Sequence, residues 1–396
     1  MNRLPAAPSK DSVAVEHELG GVLSLSPEYV RRIAPYVPGK PVEELAREYG
    51  LAEKDIVKLA SNENPRGPSP RVREAIADAA AGVARYPDGN GFALKTALAS
   101  RFGVERDQVV LGNGSNDILE LATQAFLRPG DEAVYSQHAF AVYPLATQAR
   151  GATGVAIPAR DLGHDLDAMR DAITPRTRIV FVANPNNPTG TWLAPGAMKS
   201  FVAAVPEDVL IVLDEAYNEY LPATHRSDTA SWIADHANLV ISRTFSKAYG
   251  LAGLRVGYGL MNIAVADMLN RVRQPFNVNS VAQAAALAAL ADTAYMEESA
   301  RLNFAGLEQL MRGLDALGIG YVPSHGNFLL VRIGAAAKVY DSLLRKGVIV
   351  RPVANYGLPE YLRVTVGLEE ENRRFLSALR QAVGNQTLAG PGPDRS

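Results

Sequence analysis

Five short, unbroken apolar runs in the middle of the chain set the tightest limit on its fold: 109–111, 133–135, 179–182, 209–213 and 239–242. Helical patterns lie near 117–126, 142–149, 166–173 and 195–204, between several of them. An exposed strand alternates apolar and polar residues, whereas a strand covered on both faces reads as a continuous apolar run. Strands of the second kind, joined by helices, require crossover connections and a mostly parallel sheet sandwiched by helices, so the fold class is α/β. After about residue 275 the texture changes. An Ala-rich helical region at 281–317 precedes short strands near 327–333, 348–351 and 362–366, with helices at 335–345 and 369–383, as in a smaller α+β domain. The expected division is 1–57, a segment packed on the second domain or on a partner subunit; 58–275, the large domain; 276–384, the small domain; and 385–396, a loose tail. The first ten residues are expected to be loose as well.

Composition removes several function classes. Lys and Arg number 40 against 42 Asp and Glu, a net charge of −2, so no basic excess marks a nucleic-acid binder and any anionic ligand needs a local cluster of donors. The chain has no cysteine, which excludes disulfides, thiolate metal sites and Cys nucleophiles. The six histidines stand at 17, 138, 164, 225, 236 and 325, with no pair at helical ligand spacing, and no metal site is expected. No apolar run approaches the ~20 residues that span a bilayer, and no signal-peptide core opens the chain, so no membrane association and a cytoplasmic location are expected.

In open parallel sheets, ligands sit beyond the C-terminal ends of the strands. Four polar clusters follow the apolar runs there: Gly112-Asn-Gly-Ser-Asn-Asp117, Ala183-Asn-Pro-Asn-Asn-Pro-Thr-Gly190, Asp214-Glu-Ala-Tyr217 and Arg243-Thr-Phe-Ser-Lys247, the last running on to Arg255. Each has a bland reading. Gly112 and Gly114 begin a dinucleotide fingerprint, but Asp117 stands where the third glycine belongs. The 187–190 stretch makes an ordinary turn, and 209–215 mimics a nucleotide-hydrolase strand in a chain without a phosphate-binding loop. A lone Lys247 would be a solvated surface cation. Their joint placement on one rim raises the functional reading above these.

Asn187-Pro-Thr-Gly190, Asp214-x-x-Tyr217 and Ser246-Lys247 followed by Arg255 together resemble the fold type I pyridoxal-phosphate aminotransferases. Leu59-Ala-Ser-Asn-Glu-Asn-Pro65, Arg85-Tyr-Pro-Asp88 and Leu362-Arg-Val-Thr-Val-Gly367 look like the histidinol-phosphate branch of that family, and the resemblance runs from about residue 35 to 383. It implies pyridoxal 5'-phosphate as cofactor, attached through Lys247, which also moves the proton. Asp214 would pair with the ring nitrogen, and Asn187 and Tyr217 would bond the phenolic oxygen. Gly114, Ser115, Asn116, Thr244, Ser246 and Arg255 would hold the phosphate, joined by Tyr86 from the other subunit of a homodimer. Phe140 stands where the family stacks an aromatic ring, often a tyrosine, so a hydroxyl is missing here. Arg363 and Arg351, with Tyr36 and Asn62, are the expected substrate contacts. The implied reaction exchanges an amino group between L-glutamate and imidazole-acetol phosphate. An aromatic keto acid such as phenylpyruvate is the alternative substrate, and a nucleotide-dependent dehydrogenase is the reading from another class.

Overall fold

The computed structural model describes residues 20–387, and the expectations for residues 1–10 and 388–396 lie outside these. Strand β1 (Val57–Lys58) comes first. The large sheet follows with β2 (Val109–Gly112), β3 (Glu132–Ser136), β4 (Thr153–Ile157), β5 (Thr177–Ala183), β6 (Leu210–Asp214), β7 (Leu239–Thr244) and β8 (Gly257–Met261). These lie in the order β2-β8-β7-β6-β5-β3-β4, with β8 antiparallel to both neighbours and the other pairs parallel. Successive side chains of β5 and β6 point to opposite faces, as the pleat requires. Val180, Val182, Ile211 and Leu213 enter one apolar cluster, while Ile179, Phe181, Leu210 and Val212 enter another. Every residue of β6 and β7 is buried, which explains the apolar runs Leu210–Leu213 and Leu239–Ile241 that open them.

The second sheet contains β9 (Tyr321–Val322), β10 (Phe328–Arg332), β12 (Arg351–Pro352) and β13 (Tyr361–Thr365), in the order β12-β13-β10-β9. β11 (Val348–Ile349) pairs in parallel with β1. Thus β1 belongs to the small unit, as does Leu59, and Leu45 of the helix Val42–Tyr49 packs against Leu344 and Ile349 there.

Two helical regions differ in detail from the sequence expectation. The Ala-rich region is two helices, Ser280–Ala291 and Thr293–Ala316, separated at Asp292, whose side chain accepts from the Tyr295 N–H and caps the second. The first of these packs in the large-domain core through Ala282, Ala285, Ala286 and Ala289, not in the small unit, because its small residues let it lie against the helix Pro70–Ala80. The small-domain cluster instead begins around Leu307. The last helix, Glu369–Thr387, extends beyond the expected limit at 384. Strands β4 and β8 were not legible as apolar runs.

Candidate active site

Each functional side chain leaves the sheet at a C-terminal strand end. Asp214 is the last residue of β6, and Thr244 closes β7, two and three residues before Ser246 and Lys247. Beyond β5, a turn with cis peptide bonds before Pro185 and Pro188 carries Asn187. Beyond β2, the turn at Asn113–Gly114 starts the helix Ser115–Phe126, and beyond β3 lies Phe140. These segments, with Ser61 and Glu63, line a cavity of about 290 Å³ that includes Ser115, Asn116, Phe140, Asn187, Asp214, Tyr217, Thr244, Ser246, Lys247 and Arg255. Ten residues scattered over the chain are thus one site.

Lys247 Nζ donates to the Ser61 carbonyl at 3.0 Å. Burial, reinforced by the cations of Arg363 and Arg255, lowers its pKa from 10.5 to about 7, against the pull of Glu63 and Asp214. A lysine amine that is about half neutral near pH 7 is a competent nucleophile. Asp214 is raised by burial to about 6, although Tyr143 Oη donates to its Oδ2 at 2.9 Å and the Ala216 N–H to its Oδ1 at 3.2 Å. Tyr217 Oη accepts from Asn62 Nδ2 at 2.8 Å, and burial pushes that phenol up to about 12.

One end of the cavity is a donor cradle. Arg255, in the left-handed backbone region at φ 57°, donates to the Ala252 carbonyl at 2.9 Å and to Asn113 at 3.3 Å. A Cβ on Gly114 would lie 2.5 Å from Arg255 Nη2, and one on Gly257 only 2.4 Å from the Ser115 nitrogen. Backbone therefore closes tightly around this point, at a helix N-terminus whose N–H groups and dipole favour an anion. A donor cradle at a helix N-terminus, the Phe140 ring in the cavity wall, the buried Asp214 carboxyl and the depressed Lys247 amine fit pyridoxal phosphate.

Arg363 is buried, donating from Nη1 to Asn187 Oδ1 at 2.5 Å and from Nη2 to the Ala60 carbonyl at 2.7 Å, while its Nε has no partner among the described residues. Arg351 pairs in register with Arg363 across β12 and β13 but opens on a neighbouring cavity of about 530 Å³. There its guanidinium lies 5.4 Å from the Tyr36 ring centroid and donates to the Val37 carbonyl at 2.7 Å. Asn62 does not reach the cavity. Its Nδ2 donates to Tyr217 Oη and its Oδ1 accepts from Thr365 Oγ1, which places it beside Tyr217. Tyr86 is 83% exposed, stacks on Phe276 at 4.7 Å and is not in its own chain's cavity. Sequence reasoning missed Tyr143, Ser61 and Glu63. Tyr143 carries no sequence signal, because an aromatic in a helical stretch reads as core.

Residues 54–379 match the family model of aminotransferase class I and II. The chain belongs to this aminotransferase family. It is 60% identical over 362 residues to a histidinol-phosphate aminotransferase of Methylobacillus flagellatus, covering 91% of this chain and 98% of the relative. A second such aminotransferase, from Pseudomonas aeruginosa, is 59% identical over 364 residues, 92% of this chain and 99% of the relative. Among solved structures, the histidinol-phosphate aminotransferase of Sinorhizobium meliloti in complex with pyridoxal-5'-phosphate superposes with a TM-score of 0.85 at 30% identity, over 92% of this chain and 99% of that one. Aspartate aminotransferase of Thermus thermophilus with maleate gives 0.79 at 25% identity, over 90% and 99%. The α/β fold expected from the sequence is the fold of these aminotransferases.

Proposed function

We propose that this chain is a pyridoxal-phosphate transaminase that passes the amino group of L-glutamate to imidazole-acetol phosphate, giving L-histidinol phosphate and 2-oxoglutarate. The observation that carries the substrate reading is the pair of buried arginines opposed across β12 and β13, one bonded to Asn187 at the cofactor cavity and one beside Tyr36 in the adjoining cavity. A ring followed by an anion suits such a pair, since a guanidinium fork matches phosphate or carboxylate. The relatives at about 60% identity, all named for histidinol phosphate, support the same substrate.

When bound, pyridoxal phosphate supplies the electron sink through which an amino group is exchanged. Lys247 would attach it through Nζ, and the released amine would hold the proton taken from the reacting carbon until that proton is returned to carbon. Asp214 balances a protonated ring nitrogen, Asn187 and Tyr217 hold the ring oxygen, and the cradle of Ser115, Asn116, Thr244, Ser246 and Arg255 holds the phosphate. Phe140 stacks on the ring. Tyr86 completes the phosphate site of the other subunit in a homodimer, and the reaction takes place in the cytoplasm. Among the described residues no helix is long and apolar enough to cross a membrane.

Arg351→Ala tests the substrate assignment. Removing one partner of a buried ionic contact costs ~2–5 kcal/mol, two to three decades in affinity. The variant should lose at least ~tenfold more catalytic efficiency with histidinol phosphate than with phenylalanine, and Arg363→Ala should damage every substrate, glutamate included. Equal losses in Arg351→Ala would instead favour an aromatic keto acid as substrate.

A further inference from the structure

We propose that Tyr143 is a positioning residue that keeps the Asp214 carboxylate ionised and fixed in one orientation at the floor of the cofactor site. Its hydroxyl donates to Asp214 Oδ2 at 2.9 Å and, among the described residues, it is the one side chain that donates to this carboxylate. The ring cannot drift. It is fully buried, lies face to face with Phe181 at 4.7 Å and 6°, and meets the edge of Phe140 at 6.0 Å and 87°. The Tyr143 N–H also bonds the Phe140 carbonyl at 3.1 Å, so a single turn delivers both the stacking ring and the donor to Asp214.

A phenylalanine would fill the same space against Phe181, and a phenol buried without a partner is unfavourable. The hydroxyl is therefore explained by Asp214. Other groups facing this carboxyl are the Ala216 N–H and the charges of Glu215 and Lys247, with the Tyr217 phenol nearby. Glu215 is itself paired with Arg243 at 2.6 Å and opposes ionisation of its neighbour, whereas Lys247 favours it. Burial already lifts Asp214 to about 6. Removing the phenol lifts it further, and a carboxyl that takes up a proton near neutral pH no longer balances a cationic ring nitrogen.

The test compares wild type with Tyr143→Phe as apoprotein and with pyridoxal phosphate bound. Infrared difference titration of the apoprotein, with Asp214→Asn as the assigning subtraction, should show the Asp214 titration about one unit higher, tenfold in proton affinity. Pyridoxal phosphate should bind the variant about tenfold more weakly, with kcat reduced more than KM is raised. In the Asp214→Asn background the same substitution should change cofactor affinity hardly at all. A fluorinated tyrosine at this position, a stronger donor with unchanged packing, should move the titration the opposite way. An unchanged Asp214 titration in both variants would overturn the proposal. So would an equal loss of cofactor affinity in the Asp214→Asn background. If Tyr143→Phe fails to fold, the fluorinated protein alone decides, by whether the titration moves. None of these readouts depends on which keto acid is the substrate.

Discussion

In the folded chain Lys247 titrates near 7, whereas in the unfolded chain it titrates near 10.5. Between those values the unfolded state holds a proton that the folded state has lost, so stability must rise with pH across that window. The Lys247→Met apoprotein lacks this penalty. It should exceed the wild-type apoprotein in stability at pH 7, and the gap in denaturant unfolding should shrink by about 1.4 kcal/mol per pH unit towards 10.5. A gap independent of pH would show that the amine is charged in the folded protein. Asp214→Asn should retain bound cofactor yet lose far more in turnover than in cofactor content, and equal small losses would mark Asp214 as merely structural. Lys247, Asp214 and Asn187 were legible because each follows a doubly buried strand, where a polar residue needs a reason. Tyr143 was not: its hydroxyl bonds Asp214, and that pairing exists only once the helix Val142–Gln148 packs beside β6.

Strands β5, β6 and β7 were readable because both of their faces are covered, so each carries a continuous apolar run at 179–183, 210–213 and 239–241. β4 is an edge strand whose one buried residue is Ile157, too little to stand out. β8 reads Gly-Tyr-Gly-Leu-Met, and its glycines look like turn residues until the packing is seen. A Cβ on Gly257 would meet the Gly114 carbonyl carbon at 2.5 Å and the Arg243 carbonyl oxygen at 2.8 Å. Gly257→Ala should therefore push the phosphate turn away from β8, costing about 1–3 kcal/mol in stability and weakening cofactor binding together. Gly196→Ala, in the helix Pro195–Ala204 with open space around it, should raise stability by about 0.5–1 kcal/mol and leave cofactor binding unaltered. Thermal unfolding and cofactor titration of the two variants distinguish packing at the cradle from glycine loss in general. The break at Asp292 was present in the sequence as a helix-capping residue, but the alanines on one side of it masked the signal.

At the scale of the molecule, the two sheets meet at the candidate site, where Arg363 of β13 is bonded to Asn187 beyond β5. Tyr86, Val83, Phe92 and Phe276 remain exposed, an apolar surface of the kind a second subunit covers. In the proposed homodimer each Tyr86 serves the opposite site, so mixing inactive Lys247→Ala and Tyr86→Ala proteins should restore activity. One of the two sites in each mixed dimer then holds an intact lysine and an intact partner tyrosine. Mixtures that stay inactive after subunit exchange would argue that each site is self-sufficient. In the proposed reaction the paired arginines select a substrate with a phosphate and a ring. The most direct measurement is kcat/KM of the wild-type enzyme for histidinol phosphate beside phenylalanine and tyrosine, under one set of conditions. A preference for histidinol phosphate of a hundredfold or more, about 2.7 kcal/mol, is the predicted result. Equal or higher efficiency with the aromatic amino acids would contradict it.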